Sequence, residues 1–497
     1  MTESLSALHN SPFKYSDFNL PRYLNTGPMF TLSAMHYPNG RFYDDGNAKE
    51  DGEKVSVDMT LPDVNLAAIS AGLNVLYVGN RGNGKSQLME DVIGTYFGGD
   101  AIRVRGDKDL NMKGFLRQLN FSDLSKALQS GASPKSIYEL TKKFQAHVVI
   151  MDEINRCPPI IQQQFMNVAD GYFEWDGVKY PMGNGNVVGI ASANVGNGYI
   201  GTFKMDDALK DRFHFCVPFN WYKPTIEDID TILGGPLKPD DYKVKLDPRV
   251  VDAKAKKGVF KHLQTLKKLT HQRVDERDLM DILPEWNILS DLLIKGMDYC
   301  SIAKVNHSKD NLGNWPKICS KSGVLTDGND AKTSVACKRY PGLCSKVKPI
   351  SPRSAQGYIL LASSIENIAE LKAGKSLYIP SFDSYMNAFE AGSSHSLGIN
   401  SSWVTQECYE SRIVAIKEIR EQLEKMITER EMEIVKDYSS AVFGNLTQTQ
   451  LETYTEEWGW FSTMLSTLNK RAIKKQGNSG EEYGKDFEKE VFSGKSN

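Results

Sequence analysis

The sequence has little that would hold it in a membrane or carry it out of a cell. No apolar run approaches the roughly 20 residues of a membrane-spanning helix, and Met1–Asp17 lacks the basic-then-apolar layout of a signal peptide. Cysteine is scarce: seven in 497 residues, an odd number, which argues against a secreted disulfide scaffold. Net charge is nearly absent too. The 60 basic and 62 acidic side chains leave −2, which excludes a protein that coats a polyanion over its whole surface but leaves room for a local basic patch. No internal repeat is present. What remains, 25% charged and 40% hydrophobic residues, is the make-up of a soluble globular protein, and a cytoplasmic one is expected. At about 150 residues per domain the length suits two to four domains.

Residues 1–60 are rich in turn signals and carry one strand-like alternation at Val55, Val57 and Met59, so they read as an arm, with a hairpin as its simplest form. From about 62 to 235, short apolar runs alternate with helical segments. The runs are Asn74–Val78, Ala101–Val104, Val148–Met151, Val187–Ala193 and Phe213–Pro218. That alternation predicts a parallel sheet with crossover helices. Residues 225–304 read as mostly helical, and periodicity is then lost over 305–348, a long irregular insertion. Helical pattern resumes over Ser351–Ala373, with Pro352 in its first turn, and again over about 404–438. Beyond it Leu451, Tyr454, Trp458, Phe461, Leu465 and Leu468 follow a 3-4-3-4-3 spacing. An antiparallel helical hairpin within the subunit explains that seam more simply than a partner-binding coiled coil. The last stretch, rich in Gly, Lys, Glu and Ser, reads as a disordered tail.

The strongest chemical signal is Gly79-Asn80-Arg81-Gly82-Asn83-Gly84-Lys85-Ser86, a phosphate-loop pattern between a predicted strand and a helix starting near Gln87. Its glycines let the backbone turn so that N–H groups face phosphate oxygens, with the helix N-terminus adding partial positive charge. Lys85 would reach the β- and γ-phosphates of a nucleotide, and Ser86 would ligate Mg²⁺. A second signal follows: the apolar run Val148–Met151 ends in Asp152-Glu153. Asp152 there can hold Mg²⁺, and Glu153 can polarise an attacking water. A third run ends at Asn194, either a side chain that holds the lytic water or a turn residue in an Asn- and Gly-rich loop.

The order of these motifs, with Asp211-Arg212-Phe213 after them, resembles the AAA+ ATPases. Asp152–Pro159, Gln163, Met166 and Asp170-Gly171 resemble its MoxR branch, and Glu174–Pro181 is similar to the β-hairpin that branch places before its sensor strand. Ser192–Gly196 with Tyr199, Gly201-Thr202 and Asp211–Phe213 resembles the cobaltochelatase-small-subunit and nitric-oxide-reductase-activator subgroup. The resemblance implies an α/β fold, an AAA+ P-loop NTPase parallel sheet with a helical lid, to which the C-terminal helical hairpin is added. It implies an ATPase in which Gly79, Asn80, Arg81, Gly82, Asn83, Gly84, Lys85, Ser86 and Gln87 bind nucleotide, and Ser86 and Asp152 bind Mg²⁺. Glu153, Asn194 as sensor 1 and Arg212 as the finger reaching a neighbouring subunit would carry catalysis. Arg353, in Ser351-Pro352-Arg353, would be sensor 2. Arg81 and Asn83 depart from the small or proline residues usual in that branch, leaving the glycine framework intact. The implied assembly is a homo-oligomeric ring, a hexamer, that remodels a client protein, with a protein bearing a von Willebrand factor A-type domain as the usual partner.

The expected division is an arm over 1–61, the α/β domain over 62–235, a lid over 236–400, the hairpin over 401–471 and a tail over 472–497. Within the insertion region Cys300, Cys319, Cys337 and Cys344, with His307, raise a Zn²⁺ site, but none of their spacings suits one and free or buried thiols are the simpler reading. Lys304–Lys348 holds nine Lys or Arg against three Asp, and Lys254, Lys256, Lys257, Lys261, Lys267 and Lys268 add to it. With only Trp315 and Tyr340 to stack on bases, a solvated face or an acidic partner is favoured over nucleic acid. The Glu174–Pro181 hairpin either projects to the axis of a ring or packs on the adjoining domain. A nucleic-acid motor is the rival function, since Asp152–Arg156 also resembles the McrB-type restriction GTPases. Their Asn-Thr-x-Asp motif is replaced here by Asn194-Val195-Gly196-Asn197.

Overall fold

The apolar runs become strands of one parallel sheet in the computed structural model. It describes residues 13–20, 23, 25–37, 52–98, 101–107, 117–119, 125–126, 129–130, 138–140, 142–175, 177–194, 202–234, 253–279, 284–295, 346–347, 349–393, 399, 404, 408, 411–428, 431–447, 449–450 and 459–477. In chain order, β1 (Pro28–His36) and β2 (Glu53–Thr60) precede α1 (Leu61–Ser70), β3 (Val75–Val78), α2 (Lys85–Phe97) and β4 (Ile102–Arg105). The short β5 (Arg117–Leu119) and β6 (Tyr138–Leu140) lead to β7 (Val148–Asp152), α3 (Pro159–Ala169), β8 (Tyr172–Trp175), β9 (Val178–Pro181) and β10 (Val188–Ala193). Then come α4 (Asp207–Lys210), β11 (Phe215–Pro218), α5 (Ile226–Leu233), α6 (Ala253–Leu279) and α7 (Pro284–Lys295). The helices α8 (Pro352–Ala373), α9 (Ser381–Ser393), α10 (Arg412–Thr428), α11 (Glu431–Val442) and α12 (Gly459–Gly477) complete the order.

Among the described residues, the central sheet has the order β11-β3-β10-β7-β4, all parallel. Every residue of β3, β10 and β11 is buried, as expected for strands covered on both faces. Leu76, Val78, Val149, Met151, Phe165 and Ala191 share the core on one side. The ladder pairs Val78 with Ala193 and with Pro218, Ala191 with Met151, and Asp152 with Arg105. The carboxyl ends of β3, β10, β7 and β4 therefore come out level, and the loops that follow them share one edge. The arm does form a hairpin: β1 pairs antiparallel with β2, and the expected alternation appears as buried Val57 and Met59.

The chain divides into two compact units, residues 1–279 with 351–397, and residues 280–350 with 398–497. In the first, α8 packs on α1, α6 and α9, and α9 packs on β11. Ser351 caps α8 by accepting from the Ser354 N–H, with Pro352 in the first turn as anticipated. Three helices meet at one buried arginine. Arg273 of α6 pairs with Glu366 at 3.0 Å and Glu370 at 2.8 Å, both on α8, and donates to Asn367 Oδ1 at 2.5 Å. Ser384 of α9 donates to the other oxygen of Glu366, and the Leu377 N–H donates to Glu370. In the second unit, α11 packs against α7, α10 and α12. Asn469 of α12 accepts from the Leu446 N–H and donates to the Leu446 carbonyl, tying down the turn after α11.

The amphipathic stretch expected over 404–438 is helical as α10 and α11, two helices rather than one. Of the predicted seam, Leu465 is fully buried and Leu468 half-buried on α12, whereas Leu451, Tyr454 and Trp458 lie outside the described residues. Helix α12 runs to Gly477, past the residue where the tail was expected to start; 478–497 lie outside the described residues. So do Cys300, Cys319, Cys337, Cys344 and His307. Among the described residues no group of His, Cys, Asp or Glu could hold a metal ion by itself, and no helix is long and apolar enough to cross a membrane.

Removing Arg273 leaves two buried carboxylates without their cation, which is far costlier than never having buried the group. Arg273→Ala is expected to destabilise the first unit by about 3–5 kcal/mol, measured as a lower urea midpoint in chemical unfolding.

Candidate active site

Strand β3 delivers Gly79 to the edge where the carboxyl ends lie level, and the loop Gly79–Gly84 folds back to start α2 at Lys85. Gly84 is left-handed, φ 82°, and a Cβ there would come within 3.2 Å of the Tyr23 ring, so turn and contact both demand glycine. Lys85 Nζ donates to the carbonyls of Gly79 at 2.7 Å and Asn80 at 2.6 Å. Its ammonium thus closes the loop on itself and sits beside the place where N–H groups of the helix start are exposed. Burial pushes the Lys85 ammonium down to about 8, against the upward pull of Asp152 and Glu153. Asn220, just past β11, accepts from the Asn80 N–H at 2.9 Å and from Asn83 Nδ2 at 2.7 Å. That contact gives Asn83, the unusual loop residue, a physical reason. Gln87, one turn into α2, donates to Asp91 at 3.0 Å. Arg81 is exposed and Ser86 half-buried.

Strand β7 brings Asp152 and Glu153 to the same edge, and β10 adds Ser192 and Asn194 on one face. The Ser192 hydroxyl donates to Asp152 Oδ1 and accepts from the Glu153 N–H at 2.8 Å, so one hydroxyl sets both acids. Asn194 Nδ2 donates to Glu153 Oε1 at 2.8 Å. Asn155 holds the Asn194 backbone, donating to its carbonyl at 2.7 Å. Asn194 Oδ1 is buried with no hydrogen-bond partner among the described residues, an acceptor that a water beside Glu153 would satisfy. Glu153 Oε2 lies 3.0 Å from Arg156 Nε and 3.6 Å from Arg105, as ion pairs that lack hydrogen-bond alignment. The Glu153 backbone is left-handed, φ 56°, a conformation that costs a non-glycine residue about 1–3 kcal/mol. Gly106 makes room for it: a Cβ there would lie 2.1 Å from the Glu153 carbonyl oxygen. Asn194, open to two readings in the sequence, thus has its side-chain amide on the Glu153 carboxylate; the residues that follow it lie outside the described residues.

The donor set fits a nucleoside triphosphate with Mg²⁺: helix-start N–H groups and an ammonium for phosphate oxygens, a serine hydroxyl and a carboxylate for a hard divalent ion, and a second carboxylate beside an amide for water. The bound metal would withdraw charge from the phosphates. The protein's part is to hold Asp152 and Glu153 apart in role, with Ser192 orienting both.

Arg212 and Arg353 are not at this edge. Arg212 precedes β11, and its carbonyl accepts from Asn74 Nδ2 at 3.1 Å, next to the start of β3. It donates from Nε to Asp170 Oδ2 at 2.9 Å and from Nη1 to the Ala208 carbonyl at 2.7 Å. Arg353 pairs with the other oxygen of Asp170 at 3.1 Å. The two arginines thus meet each other, at the amino ends of the strands, and not Lys85. His214 is buried beside them. Burial first, then the charge of Arg353, pushes its imidazole down to about 4, with Asp211 and Asp170 pulling the other way. The β8–β9 hairpin buries Phe173 and sets the half-buried Tyr180 edge-on to Phe144 of the same domain, while Val178 is exposed.

Sequence reasoning passed over Ser192, Asn155, Asn220, Arg105, Arg156 and Asp170 as site residues. Ser192 had a readable signal, since it stands two residues before Asn194 and so shares its face of the strand. Asn220 had none, because its partners lie far away in the chain, and Asp170 is legible only as part of the Asp170-Gly171 motif, which does not say what it holds.

Residues 74–213 match the family model of the AAA domain, dynein-related subfamily. No curated protein matches the chain. Among solved structures, a Cytophaga hutchinsonii protein described as a candidate ATPase is 14% identical, with 72% of this chain and 88% of that chain covered at a TM-score of 0.43. That likeness is too loose to carry an argument. The matched stretch runs from the start of β3 to the residue after Arg212, and with its sheet and phosphate loop it makes this an AAA+ ATPase domain of α/β fold.

Ser192→Ala removes the hydroxyl shared by both acids, and kcat for ATP hydrolysis should fall about 10–100-fold, read by phosphate release. Gly106→Ala should displace Glu153 and give a loss at least as large, with nucleotide binding retained in a fluorescence titration. His214 sets a pH dependence of stability. The unfolded chain takes the proton near the ordinary 6.5 and the folded chain near 4, so between them the unfolded state binds more protons and stability falls as pH drops. The loss is on the order of 3 kcal/mol across that window, and His214→Phe should flatten it in unfolding curves from pH 7 to 4.

Proposed function

We propose that the protein is a MoxR-like ring motor, most simply a hexamer, that spends ATP on remodelling or activating a client protein complex, by chaperone-like assembly or cofactor insertion. The observation that carries the ring is the separation of Arg212 from Lys85. Asn74, whose amide holds the Arg212 carbonyl, stands five residues before Gly79, roughly 16 Å along an extended strand. An arginine that serves a phosphate from there serves the phosphate of another copy, where it neutralises charge in the transition state. In this reading Lys85 and the loop glycines hold the phosphates, Ser86 and Asp152 hold Mg²⁺, Glu153 activates water and Asn194 positions it. Nucleotide state then changes the angle between sheet and helices, the step that does work on the client. The run of MoxR-type motifs from Asp152 to Pro181 supports a protein client, and a protein with a von Willebrand factor A-type domain is the partner it suggests.

Glu153→Gln should bind ATP yet hydrolyse it about 10²–10⁴-fold more slowly, and tagged protein should then retain a stoichiometric client in the presence of ATP and Mg²⁺. That client should be missing from the Lys85→Ala control. Nuclease-sensitive nucleic acid in place of a protein would overturn the reading in favour of a nucleic-acid motor.

A further inference from the structure

Asp170 holds two arginines that lie far apart in the chain. One carboxylate oxygen takes Nε and Nη2 of Arg212, each at 2.9 Å, and the other takes Nη1 of Arg353 at 3.1 Å. We propose that Asp170 is a positioning residue that presents Arg212 and Arg353 as a rigid pair to the nucleotide of the neighbouring subunit. This rests on the reading of Arg212 as a residue acting in trans.

The surroundings of Asp170 are built around that pair. Asn74, 5% exposed, donates to the Ala169 carbonyl at 2.8 Å and to the Arg212 carbonyl at 3.1 Å. One buried amide thus fixes the backbone on both sides of the first ion pair. The second is fixed from the helix. Asp211 accepts from Ser351 and Ser354 at 2.7 and 2.9 Å, pinning the start of α8, where Arg353 stands, against the residue before Arg212. Gly357, one turn on, lets His214 close against the helix; a Cβ there would lie 2.3 Å from the imidazole. The side chains themselves stay accessible, at 20% for Arg212 and 44% for Arg353. Two guanidinium groups share the one carboxylate of Asp170, while Asp211, the other acid of the cluster, is taken up by the two serine hydroxyls. A cluster so anchored loses little freedom when it meets phosphate, which is what an electrostatic catalyst needs. Arg353 on this account works beside Arg212 in the neighbour's site and not at Lys85 of its own chain.

Asp170→Asn should lower kcat about 100-fold through misplaced arginines with KM for ATP within about twofold, and Asp170→Glu should recover part of the loss. The decisive measurement is hydrolysis by mixed rings, made by co-expressing Asp170→Asn with Glu153→Gln under two tags. Each homomer is slow, but an Asp170→Asn subunit keeps its own Glu153, and a Glu153→Gln neighbour keeps well-placed arginines. Random mixing in equal amounts should restore about a quarter of wild-type turnover, because a site works only with that order of neighbours in a head-to-tail ring. A parallel mixture of Arg212→Ala with Glu153→Gln separates the two ideas. Recovery there but none with Asp170→Asn overturns the role of Asp170 alone. Recovery in neither overturns the trans reading, and the role of Asp170 with it. A faster Asp170→Asn homomer would also overturn the proposal, since Asp170 would then restrain the arginines rather than present them.

Discussion

The parallel register of β3, β10 and β7 is the constraint on which the rest of the molecule depends. It places Val78, Ala193 and Asp152 at one level, so the phosphate loop, Asn194 and the acid pair emerge side by side. A slip of one residue in β10 would turn Ser192 and Asn194 to the opposite face and leave both acids without their partners. Burial on both faces makes such a slip costly, because the whole apolar set of the strand would move with it. Catalytic geometry here is thus a by-product of core packing.

The sheet also separates two kinds of charge. At the carboxyl ends stand Lys85 and two carboxylates, held by Ser192 and Asn194; at the amino ends stand two arginines on one aspartate. Each cluster is incomplete in its own way. The first has an acceptor, Asn194 Oδ1, without a hydrogen bond among the described residues, and the second has two guanidinium groups sharing one aspartate while both stay partly exposed. Copies arranged head to tail would bring the two kinds of edge together, which gives a mechanical reason for coupling hydrolysis to assembly. The first edge also holds a strained backbone. Glu153 keeps a left-handed backbone because Gly106 yields the space and Ser192 takes its N–H.

Helix α8 connects the arginine pair to the other helices of the first unit. Ser351 and Ser354 bind it to Asp211, Arg353 binds it to Asp170, and Glu366 and Glu370 bind it through Arg273 to α6. A change at Asp170 or Arg212 therefore bears on a helix that touches α1, α6 and α9. Domains of this kind are expected to convert phosphate state into motion through such a lever.

Local chemistry made much of this legible from the sequence alone. Apolar runs bounded by glycine and acid specify strands, the Gly79–Ser86 spacing specifies a phosphate loop, and Asp152-Glu153 after a buried run specifies the acid pair, because each depends on neighbours a few residues away. The sequence could not decide what Asn194 faces, why Asn83 stands in the loop, or that Arg212 and Arg353 share Asp170. Those facts rest on contacts between residues 39 to 183 positions apart, such as Ser192 with Glu153, Asn83 with Asn220 and Arg353 with Asp170. Only the packed sheet and the helix docked at its edge bring such groups within hydrogen-bond reach, and no local pattern records which pairs will meet.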